Sequence, residues 1–129
     1  MLAKRVKLKN IREVEVIEVR VSGLDVKIIK GYNENKEVKE VFIRVGKQGT
    51  TINGFMEFIS KMTSKMLQYG IPKDVIIDMC RGQIFEPKGT VVGHSDIEVC
   101  TSLVDLLAIV LEDNVNMYNN KEHSKRGIV

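Results

Sequence analysis

Two short segments of this sequence combine basic side chains with glycines, and they are the best candidates for chemistry. The first comprises Arg44, Gly46, Lys47 and Gly49, where an alternating apolar pattern gives way to a helical one. Glycines before a helix let backbone N–H groups point at an anion, and the helix dipole favours negative charge there. The residue order is not that of a Walker loop. The segment indicates contact with a phosphate or carboxylate, unless its glycines serve only to turn the chain.

The second segment begins at Arg81-Gly82 and extends to Phe85. An arginine followed by glycine can simply end a helix, because its charge complements the helix dipole. The same guanidinium can instead bind a phosphate. Phe85 lies among polar residues, where an aromatic ring either stacks on a base or covers the core. Both readings stay open for Arg81, Gly82 and Phe85, which we take as candidate ligand-binding residues.

No group of residues has the composition that catalysis or metal binding requires. His94 is followed by Ser95 and Asp96, but three consecutive side chains point in different directions and cannot form a triad. Cys80 and Cys100 lack the spacing of metal ligands and are expected to be reduced core residues. We therefore predict a protein that is not an enzyme and that has no catalytic residue, metal or cofactor.

Composition narrows the class of protein further. The chain has 129 residues and a net charge of +3, which predicts one domain and favours a small anionic ligand over a long nucleic acid. No apolar segment of signal-peptide type follows the basic N-terminus. The longest apolar run, Leu103 to Leu111, is shorter than the roughly 20 residues of a membrane span. A cytoplasmic domain without a membrane segment is the expectation.

The elements that must position the candidate residues follow from the periodicity. Alternating apolar residues predict strands from Arg12 to Arg20, from Leu24 to Ile29 and from Val38 to Val45, with a possible short hairpin around Thr90 to Val92. We expect an α+β fold in which an N-terminal antiparallel sheet of three to four strands packs with about three C-terminal helices. Residues 1–46 should be mainly strands, 47–113 mainly helices, and 114–129 a polar tail of the same single domain.

Three helices are predicted in the second half. The first has apolar residues at helical spacing and ends at Gly70; these residues predict a core face, with a partner groove as the alternative: Ile52, Phe55, Met56, Ile59, Met62, Met66 and Tyr69. The second helix starts near Pro72 and ends at Arg81-Gly82. The third runs from Thr101 or Ser102 to Glu112 and is apolar on most sides, which predicts a place in the core or in a subunit interface.

From Phe42 onward the sequence resembles the TSCPD domain, an accessory C-terminal domain of adenosylcobalamin-dependent ribonucleotide reductases that also occurs in free-standing proteins. The resemblance rests on four stretches: Val45-Gly46-Lys47 with Gly49, Leu67 to Pro72, Ile76 to Gly82, and Thr101 to Leu107. The signature Thr-Ser-Cys-Pro-Asp reads Thr-Ser-Leu-Val-Asp here, so any role of the signature thiol is in doubt. The resemblance implies an accessory or regulatory nucleotide-binding module and no reductase activity.

The layout of strands followed by helices is also similar to the phage anti-Thoeris sponge proteins. That resemblance implies binding of cyclic ADP-ribose-type signals or cyclic oligonucleotides without cleavage, in dimers that can assemble into hexamers, in the host cytoplasm. Arg44, Gly46 and Arg81 are the positions that would contact ligand phosphates. Sequestration of a nucleotide messenger is therefore our first functional expectation, and the accessory module is the alternative.

Overall fold

The computed structural model describes residues 3–112, and an antiparallel sheet of five strands runs through them. β1 (Val14–Val21), β2 (Leu24–Tyr32) and β3 (Val38–Val45) are consecutive, whereas β4 (Gly89–Val92) and β5 (Val99–Cys100) lie on the other side of β1 in the order β3-β2-β1-β4-β5. The α+β prediction is confirmed, with one strand more than the upper estimate. β4 lies where the sequence suggested a short hairpin, around Thr90 to Val92, whereas β5 escapes prediction because a strand of two residues is too short to show alternation.

The β1–β2 hairpin turns at Ser22-Gly23. Both residues have positive φ, 53° and 81°, as in the two-residue turns whose twist matches that of antiparallel strands. This turn sets the register in which Val21 faces Leu24 and Val19 faces Val26. The buried valines and isoleucines of both strands consequently point to one face of the sheet, which we call the inner face.

Helix α3 (Leu103–Glu112) packs against the inner face and completes the core. Seven of its ten residues are buried, which confirms the prediction that this apolar helix is central. Helix α2 (Lys73–Cys80) contacts α3 and adds the fully buried Ile76. Lys30, also on the inner face, reaches α3 through a hydrogen bond of 2.7 Å from its Nζ to the carbonyl oxygen of Val110.

Helix α1 (Thr51–Gln68) lies along the open edge of β3 and pairs with it through side chains. Four buried polar residues spaced along one face of α1 bond to backbone groups of β3: Asn53 to Val45 (2.8 Å), Ser60 to Ile43 (3.0 Å), Ser64 to Val41 (2.9 and 3.0 Å) and Gln68 to Lys39 (3.0 Å). Unpaired strand edges invite association with other chains. The side chains of α1 form the hydrogen bonds to the backbone of β3 that a sixth strand would otherwise form.

The prediction that the apolar stripe of α1 is a core face is wrong for three of its members. Phe55, Met62 and Tyr69 are 63%, 45% and 46% exposed, whereas Met56 is buried and Met66 packs partly against the core. The physical reason is the polar stripe described above, which occupies the side of α1 that faces β3. None of the helices between residues 3 and 112 has the length and apolarity needed to cross a membrane.

Ser64 provides a direct test of this edge pairing. Its hydroxyl accepts from the amide of Val41 and donates to the carbonyl of the same residue. Ser64→Ala leaves both buried groups unpaired, so we expect the free energy of unfolding to fall by about 2 kcal/mol. Urea denaturation measures this change. Ser95→Ala, at an exposed position, is the control; equal stability of both variants would contradict the edge pairing.

Candidate functional site

The β3–α1 corner, residues 44 to 50, is the candidate anion site. Gly46 and Gly49 have positive φ, 58° and 90°, a backbone conformation that residues with a side chain rarely adopt. Thr50 caps α1, because its hydroxyl accepts from the amide of Asn53 at 3.3 Å. The first turn of α1 carries no acidic residue. The positive end of the helix dipole therefore opens on an exposed corner without a carboxylate to offset it.

Two cations flank this corner and are not engaged elsewhere in the described part of the chain. Arg44 and Lys47 are both exposed, and neither side chain makes a hydrogen bond or an ion pair within residues 3–112. Most surface arginines of this domain do have such partners; Arg12 pairs with Glu40, and Arg20 pairs with Asp25. An anion at the corner would meet two guanidinium or ammonium groups that lose no internal bond on binding.

The Arg81–Gly82 segment is arranged differently, because the guanidinium of Arg81 is already paired with carboxylates of the same chain. The guanidinium of Arg81 lies 2.7 Å from Glu112 and 3.4 Å from Asp105. The carboxylate of Asp105, 7% exposed, also accepts from the backbone amides of Gly82 (2.8 Å) and Thr101 (3.0 Å). We call these four contacts the Asp105 latch. It fixes the end of α2 to the start of α3, which favours a structural role for Arg81 within the chain.

The two predicted arginines are not brought together by this chain. Arg44 projects from the outer face of the sheet, since its neighbours Ile43 and Val45 are buried on the inner face. Arg81 is held at α3, which covers the inner face. Phe85 lies beside the latch, with its amide bonded to the carbonyl of Thr101, and is 40% exposed. One ligand could contact both segments only if they came from different subunits.

The nucleophile and base candidates are placed unfavourably for chemistry. Burial raises the pKa of the Cys80 thiol above its ordinary value. Burial, reinforced by the charge of Asp105, does the same for Cys100, so both thiols are protonated near neutral pH. Nδ1 of His94 accepts the amide of Asp96 at 3.0 Å. Between residues 3 and 112 no cluster of three potential metal ligands exists.

Sequence reasoning missed a cleft of about 610 Å³ between the N-terminal segment, the β2–β3 loop and the end of α1. None of the predicted site residues lines it. Three of its cations are paired: Lys9 with Glu34, Lys36 with Glu13, and Arg12 with Glu40. Lys4, Lys7 and Lys39 also line it and have no ion pair within residues 3–112. We assign greater weight to the corner because it combines unpaired cations with glycines of positive φ and the positive end of a helix dipole.

The fold and the latch define a small α+β domain in which an antiparallel sheet is covered by helices on its inner face and along one edge. The family model of the TSCPD domain matches residues 5–115, and the chain belongs to this family. Curated relatives include vitamin B12-dependent ribonucleotide reductases from Rhodopirellula baltica and Bradyrhizobium diazoefficiens. Each is 30% identical over 105 residues, which is 81% of this chain and 10% and 8% of the relatives.

A reductase of the same description from Streptomyces coelicolor is 35% identical over 68 residues, which is 53% of this chain and 7% of the relative. The chain thus spans about a tenth or less of the length of these relatives. No solved structure matches the chain.

The latch gives a physical account of the signature residues that this chain retains. Ser102 caps α3 by accepting the amide of Asp105 at 2.9 Å. The hydroxyl of Thr101 donates to the carbonyl of Gln83 at 2.8 Å, and Asp105 holds the latch. At the substituted positions, Leu103 is fully buried and Val104 packs partly against the core. The retained signature residues therefore join the end of α2 to the start of α3, and no thiol takes part in these contacts.

Proposed function

We propose that this domain binds a nucleotide without transforming it and holds the ligand's phosphate at the β3–α1 corner. The observation that carries the proposal is the uncompensated positive charge there: Arg44 and Lys47 have no partner within residues 3–112, and the first turn of α1 has no carboxylate. Gly46 and Gly49 supply backbone that can approach an anion closely.

The absence of a catalytic step is part of the proposal. Both cysteines are buried, with raised pKa values, and Nδ1 of His94 is engaged by a backbone amide. A site made of cations, backbone donors and glycines supplies affinity through charge-assisted hydrogen bonds but offers no general base or nucleophile. Capture and release of an intact ligand is the function that such a site supports.

The first use that we propose is sequestration of nucleotide second messengers, namely cyclic ADP-ribose-type signals and cyclic trinucleotides, by a phage anti-defence sponge in the host cytoplasm. The separation of Arg44 from Arg81 on opposite sides of the sheet supports a homo-oligomer. In a dimer or hexamer the corner of one subunit could face Arg81, Gly82 and Phe85 of the next. No cofactor or metal enters this proposal.

A binding and release experiment tests it. The purified chain is incubated with cyclic ADP-ribose isomers, cyclic trinucleotides and deoxynucleoside triphosphates, separated from free ligand, and then denatured by heat. We expect one class of nucleotide to be retained and to be recovered chemically unchanged. Recovery of a hydrolysed product would contradict a non-catalytic role, and retention of none of the nucleotides would contradict binding.

Arg44→Ala should weaken binding of the retained nucleotide by about 1.5–3 kcal/mol, since charge-assisted hydrogen bonds to the phosphate are lost. The melting temperature should not fall, because the side chain of Arg44 has no partner within residues 3–112. Isothermal titration and thermal unfolding measure the two quantities. Lys61→Ala, at an exposed position on α1, removes the same net charge elsewhere; an equal loss in both variants would indicate a general charge effect and no corner site.

The second candidate function is that of an accessory or regulatory module for a vitamin B12-dependent ribonucleotide reductase. It is favoured by the relatives, in which the matched segment is a small part of a long chain. Pull-down from an extract of the source cells tests this candidate with the tagged chain as bait. Co-purification of a reductase subunit, with no retention of cyclic nucleotides, would favour this candidate over sequestration, and the reverse result would exclude it.

A further inference from the structure

The outer face of β1, β2 and β3 is uncovered in the middle, and its side chains form two rows across the strands. The register places Val16, Ile29 and Phe42 side by side in one row, and Glu18, Lys27 and Arg44 in the next. Phe42 is 46% exposed and Val16 is 51% exposed. An apolar row therefore lies directly beside a predominantly basic row on an accessible surface.

The basic row contains an unfavourable pair. Lys27 and Arg44 are direct cross-strand neighbours, which places their Cβ atoms about 5 Å apart, and like charges in this position destabilise a sheet. The carboxylate of Glu18 is 3.9 Å from Lys27, but Arg44 has no ion-pair partner within residues 3–112. A bound anion would relieve this repulsion, so the pair is suited to a phosphate.

The apolar row, which we call the platform, lies between two other groups of side chains on the outer face. On the side away from the basic row, Leu8 lies over Gly31, where a Cβ atom would be 3.2 Å from its Cδ1. Glu40, which pairs with Arg12, lies next to it. The row is thus bounded by the N-terminal segment on one side and by Lys27 and Arg44 on the other. Aromatic rings exposed on a sheet are suitable platforms for nucleotide bases.

We propose that this outer face is the base-binding part of the ligand site. In this arrangement Phe42 stacks on the base, and Lys27 joins Arg44 in binding the phosphate. Phe42, which would bind the base, and Arg44, which would bind the phosphate, are two positions apart on β3, about 6.7 Å. This distance is comparable to that between the base and the 5′-phosphate of a nucleotide. The inference rests on the proposed function, and it assigns to Phe42 the stacking role for which the sequence suggested Phe85.

Binding of ADP and of inorganic pyrophosphate separates the two parts of the site, since only ADP carries a base. We expect Phe42→Ala to weaken ADP binding by about 5- to 150-fold, the range that one base–aromatic stack supplies, and to leave pyrophosphate binding unchanged. Phe42→Trp should restore ADP binding. Lys27→Ala and Arg44→Ala should weaken both ligands. Phe58→Ala is the aromatic control, because its ring is exposed on α1 at 60%, and Phe85→Ala tests the alternative position of the base beside the latch.

Each outcome of this experiment has a defined meaning. If Phe42→Ala binds ADP as tightly as the unaltered chain while Arg44→Ala loses both ligands, the platform is refuted and the phosphate corner stands. If Phe85→Ala loses ADP instead, the base lies beside the latch and the platform is again refuted. If Phe42→Ala converts a dimer to a monomer in sedimentation without changing affinity, the face binds a second copy of the chain. Binding of neither ligand to the unaltered protein would remove the proposed function itself.

Discussion

Asp105→Ala should lower the free energy of unfolding by about 4 kcal/mol. Its buried carboxylate accepts the backbone amides of Gly82 and Thr101 and pairs with Arg81. Each hydrogen bond to a charged group contributes about 1.5–3 kcal/mol, and removal of the acceptor leaves the donors unsatisfied. The variant also leaves Arg81 with Glu112 as its remaining ion-pair partner. Urea denaturation followed by circular dichroism measures the effect.

Two further substitutions make this test specific. Asp78→Ala, at an exposed position on α2, removes the same functional group from the surface and should change stability little. Asp105→Asn keeps one oxygen as an acceptor, so its stability should lie between those of the alanine variant and the unaltered chain. Equal stability of Asp105→Ala and Asp78→Ala would show that the latch contributes nothing to folding.

A substitution in the latch also tests whether ligand binding depends on this part of the fold. Its contacts lie on the α3 side of the sheet, whereas the corner and the platform lie at the edge and outer face formed by β3. If one subunit alone holds the ligand, a folded Asp105→Asn domain should bind the nucleotide with unchanged affinity. A loss of affinity in that variant would place the ligand beside Arg81 and would require an oligomer in which the latch contributes to the site.

The strands and helices could be predicted because their periodicity reflects one-sided burial. Every second residue along most of β1 and β2 is buried on the inner face of the sheet. Helix α3 is apolar on most sides because it lies at the centre of the core. Thr50 and Gly70 mark the ends of α1 as their capping chemistry requires. The predicted polar tail, residues 114–129, lies outside the described residues.

The role of α1 could not be predicted by the same logic. Its buried side includes, beside Met56 and Leu67, the polar residues that bond to β3, which are of types that normally indicate a solvated face: Asn53, Ser60, Ser64 and Gln68. They are buried because the partner surface is a strand edge, which presents backbone donors and acceptors that need hydrogen bonds. Hydrophobic patterning therefore identified only part of the buried side of this helix, since it included the exposed Phe55, Met62 and Tyr69 and omitted the polar residues that bond to β3.

Sequence reasoning could propose candidate site residues only where they are neighbours in the sequence. The corner depends on neighbouring residues, Arg44 to Gly49, whereas the platform depends on which residues of β2 and β3 face each other. That register is set by the loop between Tyr32 and Val38 and by the irregularity at Gly31/Tyr32. Neither feature can be predicted from the sequence pattern alone. The partners of Arg81 are likewise 24 and 31 positions away, so the structural role of Arg81 could not be predicted from its neighbours in the sequence.

Lys30→Ala should destabilise the domain by about 3–5 kcal/mol, the range found when one member of a buried ion pair is removed. Lys30 is fully buried on the inner face, where its ammonium lies 3.2 Å from Glu15 and donates to the carbonyl of Val110 near the end of α3. Without it, the carboxylate of Glu15, 18% exposed, retains the hydroxyl of Tyr32 but loses its countercharge.

A double substitution distinguishes the loss of charge pairing and packing volume from the loss of the hydrogen bond to Val110. In Lys30→Met with Glu15→Gln, an apolar chain of similar length fills the space and the remaining partner is neutral, so much of the lost stability should return. Lys61→Ala on the exposed side of α1 controls for the change in net charge. If the double variant is no more stable than Lys30→Ala, the hydrogen bond to Val110 accounts for the effect. The ion pair would then contribute little, and the link between β2 and the end of α3 would be the feature that the lysine supplies.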